Sequence, residues 1–217
     1  MNKNILIGGA WPYANGSLHI GHVAGLLPGD VLARYYRAKG DNVFYVSGSD
    51  CYGTPITIRA KQEGRTPGEI SDYYHAEFCE DFKNLGFSYD LYGKTSDEKH
   101  IAFVQKFHKK LYAEDYTEER TVKQAYCPTC AKILTDRFVI GTCPVCGAKT
   151  RGDQCDACNE VLDIEALSDA HCADCGSALI YKDSTQIFLL ISKLKKELEA
   201  YLEAHPYWRK NAIAFTK

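Results

Sequence analysis

Two histidines carry the first readable chemistry of this chain. His19 and His22 are three residues apart with Gly21 between them, so on a helix they share the first turn and face the same way. They follow Ile5-Leu6-Ile7, a short apolar run that breaks at Gly8-Gly9, and they lead into an amphipathic stretch. Strand, glycine turn and helix in that order describe a nucleotide-binding turn. The helix N-terminus offers free N–H groups and the positive end of its dipole, and both attract phosphate. Gly21 lacks a Cβ, so a base or a ribose can lie against the backbone there. Imidazole donors suit a polyphosphate whose charge shifts during reaction, because neutral or cationic histidine can follow that charge. Asp50 stands just past a second apolar run, where a carboxylate at a strand end can bind a ligand ammonium group.

Cysteine carries the second chemistry. Eight of the ten cysteines fall into four C-x-x-C pairs: Cys127/Cys130, Cys143/Cys146, Cys155/Cys158 and Cys172/Cys175. Each two-residue spacer lets both sulfurs point at one ion from a tight turn. Gly147, Asn159 and Gly176 follow three of the pairs and tolerate the left-handed backbone that closes such a knuckle. The N-terminus shows no signal-peptide apolar region, so disulfides are not expected. Four knuckles make two tetrahedral Cys₄ sites, with zinc as the expected occupant; iron–sulfur spacings are less evenly paired. Spacing alone leaves the pairing open. Inner with inner and outer with outer is possible, and so is first with second and third with fourth.

These residues need elements to hold them. Residues 4–9 and 43–47 read as short buried parallel strands. Between them a helix runs from about His19 to Ala38, with Val23, Leu26, Leu27, Val31, Leu32 and Tyr35 as its apolar stripe and Gly40 as its stop. That is a βαβ unit with its first turn at the ligand edge of the sheet. Thr66-Pro67-Gly68-Glu69 signals a second helix ending near Leu85-Gly86, and Thr95-Ser96-Asp97-Glu98 a third reaching about Tyr112. From Tyr126 to Lys182 hydrophobic periodicity fades and Cys, Pro, Gly and Asp take over. A last helix is expected over Gln186–Ala204, with Ile187, Leu190, Ile191, Leu194, Leu198 and Leu202 on one face. Net charge is −2, so charge alone does not suggest RNA. No apolar run approaches the ~20 residues that span a bilayer. A cytoplasmic protein with no membrane partner is expected.

The string Ala10-Trp11-Pro12-Tyr13-Ala14-Asn15-Gly16-Ser17-Leu18-His19-Ile20-Gly21-His22 resembles the first ATP-binding motif, HIGH, of class I aminoacyl-tRNA synthetases. Within that class it is most similar to the methionyl-tRNA synthetase family. The resemblance implies an α/β fold: the first half of a Rossmann-like parallel sheet over 1–120, a zinc-knuckle insert over 121–183, and a continuing helix over 184–217. It implies ATP, with Mg²⁺, held by Tyr13, Asn15, Gly16, His19, Gly21 and His22, with His19 and His22 catalytic. It implies methionine held by Trp11, Tyr13 and Asp50, with Asp50 on the ammonium. It favours the nested pairing of knuckles, led into by Phe138-Val139-Ile140-Gly141-Thr142-Cys143-Pro144, with both zinc ions structural. Cys51 departs from the alanine common in the family.

Family chains are more than twice as long, and no KMSKS loop is found. Ser192-Lys193-Leu194-Lys195-Lys196 reads as the solvated face of the last helix. The expectation is the N-terminal part of a methionine–tRNA ligase, whose complete form joins methionine to tRNA. By itself it should be inactive, and prone to self-association or to pairing with the missing C-terminal half. The competing expectation is a truncated, non-catalytic binding module built on the zinc insert. A downstream reading frame carrying KMSKS separates the two.

Overall fold

The computed structural model describes residues 2–216. The chain divides into two compact units, Met1–His108 and Lys109–Lys217. The first holds β1 (Asn4–Gly8), α1 (Ile20–Ala38), β2 (Asn42–Ser49), α2 (Thr54–Glu63), α3 (Pro67–Asn84), β3 (Leu91–Lys94) and the first part of α4 (Glu98–Ala113). Its three strands are parallel in the order β1-β2-β3. The expected βαβ unit is therefore present, with one more parallel strand.

Both crossovers lie on one face of this sheet. On that face Val43 and Tyr45 of β2 are buried with Ala33 of α1, and the Tyr45 hydroxyl donates to the Leu26 carbonyl at 3.1 Å. Farther along, Ser49 Oγ is 2.9 Å from His75 Nδ1 of α3. The opposite face is open at its start. Leu6 and Phe44 are register partners there and are 72% and 51% exposed. Strands of a sheet covered on both faces were expected; these two are covered on one.

The stripe of α1 differs from expectation in the same way. Only Leu26 of the six apolar positions is fully buried, together with Asp30 and Ala33. Leu27, Val31, Leu32 and Tyr35 are exposed. Close packing explains the choice: a Cβ on Gly29 would stand 2.9 Å from the Tyr45 hydroxyl, so small residues, not large ones, face the sheet. Asp30 is tolerated in that interface because Arg34 Nε donates to it at 2.6 Å and Ser88 N–H and Oγ–H each at 2.6 Å. Burial alone would raise its pKa, and these bonds outweigh it, leaving the carboxyl below its usual value.

The second unit contains β4 (Thr117–Cys127), β5 (Lys132–Ile133), β6 (Val139–Thr142), β7 (Lys149–Arg151), β8 (Ser168–Cys172), β9 (Ile180–Leu189), α5 (Lys195–Glu203) and α6 (Lys210–Thr216). β4 and β9 form an antiparallel ribbon paired from Thr117↔Leu189 to Tyr126↔Ile180. This corrects the expected last helix. Residues 186–189 belong to β9, 191–194 form a 3-10 turn, and the helix starts only at Lys195. Apolar residues at 187, 190, 191 and 194 fit a helical period, but β4 supplies a partner ladder that overrides it. The basic run over 192–196 accordingly lies across a turn and a helix start. A small core does form here, from Ala125, Cys127, Leu134, Val139, Leu167 and Cys172. No helix among the described residues is long and apolar enough to cross a membrane.

Candidate functional site

Beyond β1 the chain keeps running alongside β2. Gly9 N–H donates to Val46 O at 2.8 Å, Asp50 N–H to Pro12 O at 2.8 Å, and Ala14 N–H to Asp50 O at 2.9 Å. Tyr13 and Asp50 form an isolated parallel bridge. The ladder thus carries Trp11 and Tyr13 to the end of β2, where Asp50 stands. Tyr13 leans over Gly53, whose φ is +121° and whose Cβ would stand 3.3 Å from the ring. Asp50 Oδ1 accepts the Tyr52 N–H at 3.2 Å and the Thr95 hydroxyl at 3.4 Å. The carboxylate therefore caps its own turn, as an aspartate before Tyr52-Gly53 can, and it remains at the strand end.

Thr95 is a residue that sequence reading misplaced. It was expected to begin the capping box of the third helix. Instead Asp97 Oδ1 accepts the Lys99 N–H at 2.9 Å, and α4 starts at Glu98. Thr95 Oγ1 is turned to the Cys51 N–H at 2.8 Å. Cys51 itself is core, 5% exposed and packed with Ala14, Leu26 and Ile56, which accounts for an apolar-sized residue there.

The two histidines organise the start of α1. His19 is the N-cap, and its Nδ1 accepts the Gly21 N–H at 3.1 Å. His22 Nδ1 reaches back to accept the His19 N–H at 3.2 Å. The pair forms a reciprocal capping box, with imidazoles in the place of the usual hydroxyl and carboxylate. Ring centroids are 3.8 Å apart. Glycine is required at position 21 because a Cβ would stand 2.9 Å from His19 Cε1; the ring lies where a base or ribose was expected to approach. Because both Nδ1 atoms accept, each neutral ring carries its proton on Nε2, and that N–H is the donor left for a ligand. Burial, and then the neighbouring His19, hold His22 below the usual imidazole pKa, which favours this neutral form. Asn15 and Gly16 lie on the turn between, half-buried.

The eight paired cysteines gather in the nested arrangement. Cys127, Cys130, Cys172 and Cys175 form one group and Cys143, Cys146, Cys155 and Cys158 the other, with all ligand atoms of a group within 4.8 Å of one another. Sγ separations are 3.4 Å for Cys127–Cys175, 3.9 Å for Cys130–Cys172, 3.9 Å for Cys143–Cys158 and 3.6 Å for Cys146–Cys155. Four thiolates at a Zn–S distance of about 2.3 Å stand about 3.8 Å apart in a tetrahedron, whereas a disulfide needs about 2.05 Å. The donor sets fit a tetrahedral ion. Gly147, Asn159 and Gly176 have φ of +73°, +61° and +71°, and their N–H groups donate to Cys143, Cys155 and Cys172 carbonyls at 3.0, 2.8 and 2.9 Å. The fourth knuckle closes through Ala131 at φ +52°, a left-handed position the sequence did not disclose.

The chain matches the family model described as tRNA synthetases class I (M) over residues 5–217. It is 54% identical over 215 residues to methionine–tRNA ligase 1 of Alkaliphilus oremlandii, covering 99% of this chain and 40% of that protein. It is 52% identical to methionine–tRNA ligase 1 of Bacillus cereus, again over 99% of this chain and 40% of the relative. The chain thus spans about 40% of the length of these curated relatives. Among solved structures, a methionyl-tRNA synthetase of Mycobacterium tuberculosis in complex with methionyl-adenylate superposes with a TM-score of 0.67 at 18% identity, covering 94% of this chain and 35% of that one. A leucyl enzyme of Agrobacterium radiobacter K84, in a ternary complex with tRNA, gives 0.70 at 21% identity over 99% and 24%. These two likenesses establish a shared fold. The match from residue 5 to 217 goes further: this chain belongs to the class I tRNA synthetases (M).

Proposed function

We propose that this chain supplies the HIGH-motif half of a methionine–tRNA ligase, which in a protein of its relatives' full length activates methionine with ATP and transfers it to tRNA. The observation that carries the reading is the histidine capping box, which engages both Nδ1 atoms and leaves two Nε2–H donors at the helix N-terminus that follows β1. A methionine carboxylate oxygen attacks the α-phosphorus of ATP, the bond to the β-phosphate bridging oxygen breaks, and pyrophosphate leaves as methionyl-adenylate forms. His19 and His22 donate to phosphate oxygens as charge moves onto the leaving group. Tyr13, Asn15 and Gly16 border the nucleotide, while Gly21 makes room for the His19 ring, and Mg²⁺ bound with ATP would neutralise its phosphates. Asp50 binds the methionine ammonium, with Tyr13 and Trp11 beside it. The eight cysteines would hold two zinc ions, four thiolates to each, in a structural role.

Topology supports a partner for the first unit. A doubly wound sheet reverses its strand order beside its first strand and so covers the second face. Here the order runs one way, β1-β2-β3, and Leu6 and Phe44 stand open on the other face. The C-terminal half of the catalytic domain fits there; without it, self-association through the same face is expected. A cytoplasmic location accompanies the activity. In an enzyme of the relatives' full length, Asp50→Ala should raise the KM for methionine at least tenfold, the loss of a charge-assisted bond, with the KM for ATP little changed. An unaltered methionine KM would reduce Asp50 to a turn cap.

A further inference from the structure

Trp11 lies over a place where two adjacent strands both carry glycine. Gly48 of β2 and Gly93 of β3 are register partners, so side chains at both positions would rise on the same face. A Cβ on Gly48 would stand 2.5 Å from Cζ3 of Trp11 and 2.7 Å from the Gly93 carbonyl oxygen. One on Gly93 would stand 3.8 Å from Cη2 of the same ring. The indole fills the space that a side chain at 48 would take, and it lies in van der Waals contact with the place a Cβ at 93 would occupy.

Alternation places Asp50 and Thr95 next on that face, and their Oδ1 and Oγ1 atoms are 3.4 Å apart. Two residues of a parallel strand rise about 6.6 Å. Carboxylate and indole thus stand one rung apart on one face. An α-amino acid whose ammonium meets Asp50 has its side chain within reach of the ring. His100 flanks the indole, with ring centroids 6.1 Å apart, and Trp11 keeps 39% of its surface open.

We infer that Gly48 and Gly93 are specificity-determining positions: they seat the Trp11 indole as a wall of the pocket for an apolar amino-acid side chain. The inference rests on the methionine-activating reading above. Gly48 is fixed twice, by the indole and by the Gly93 carbonyl. At Gly93 a Cβ would only touch the indole, at 3.8 Å, so a branched side chain whose methyls reach beyond that Cβ presses on the ring and on no backbone atom, which makes it the position to test.

The test is methionine-dependent ATP–pyrophosphate exchange by an enzyme of the relatives' full length carrying this chain, with Gly93→Val, Trp11→Leu and the pair. Valine at 93 overpacks against the indole, and overpacking of this kind weakens binding roughly tenfold or more. The KM for methionine should rise by that factor while the KM for ATP stays put. In the Trp11→Leu background, where the shorter side chain vacates the space, the same valine should cost less than about threefold. An equal loss in both backgrounds, no loss with Trp11 present, or a parallel rise in the KM for ATP would overturn the inference. If the unsubstituted enzyme shows no methionine-dependent exchange, the catalytic reading fails instead. Thermal unfolding of the same four proteins then decides the seat: destabilisation by Gly93→Val that Trp11→Leu relieves supports it, and equal destabilisation or misfolding in both backgrounds refutes it.

Discussion

Replacing Cys143 by alanine removes one sulfur from the inner group, in which Cys143–Cys158 and Cys146–Cys155 stand 3.9 and 3.6 Å apart. Structural zinc contributes an apparent ~10–16 kcal/mol in small metal-organised domains. Loss of one of four thiolates removes roughly a quarter of that, about 3 kcal/mol, or a hundredfold or more in affinity. The two groups differ in what they hold up. Cys127 and Cys172 of the outer group belong to the core with Ala125, Leu134, Val139 and Leu167. Cys143 and Cys155 are buried but belong to no such cluster. Cys143→Ala should therefore cost one of two zinc equivalents and leave β4–β9 protected from hydrogen exchange. Cys127→Ala should also cost one equivalent but expose that ribbon along its Cys127 end. Elemental analysis with exchange mass spectrometry reads both. Well under two equivalents in the unsubstituted chain, or ribbon exposure by Cys143→Ala equal to that by Cys127→Ala, would refute the reasoning.

Two further outcomes concern stability. Asp30 has a folded-state pKa below its usual 3.8, so its contribution is full above that value and is lost as pH falls through the lower folded-state value. Asp30→Asn should flatten this acid limb of the stability–pH curve, and Asp30→Ala should cost about 1–3 kcal/mol through the bonds left open at Ser88, both measured by urea unfolding. Ala131 adopts φ +52° beside the outer knuckle, where glycine avoids a cost of about 1–2 kcal/mol; Ala131→Gly should raise the midpoint of thermal unfolding, and a lower midpoint would contradict the strain.

What the sequence disclosed divides along physical lines. The histidine pair, the cysteine pairs and the Thr66–Glu69 capping box are local signals, and each is found where spacing placed it. Nested pairing of the knuckles came from resemblance, because spacing constrains each knuckle without choosing its partner. β4 and β9 were missed because a ribbon is defined by a partner about sixty residues away, while the apolar residues near 187–194 mimic a helical period. β3 and α2 were missed for a similar reason: Leu91–Lys94 is only 4 residues long, and Thr54–Glu63 carries β-branched residues that weaken helix propensity. The seat of Trp11 is invisible in one dimension, since Gly48 and Gly93 become neighbours only through strand register.

The two histidines are assigned one central task, to act on the phosphates in the transition state. The direct measurement is methionine-dependent ATP–pyrophosphate exchange by an enzyme of the relatives' full length, unsubstituted and as His22→Ala. Removing one preorganised donor costs roughly 10²–10³ in rate. The variant should lose kcat by that factor while the KM for ATP changes little, its α1 cap being weakened but its nucleotide contacts otherwise kept. Near-normal exchange by His22→Ala would contradict the account.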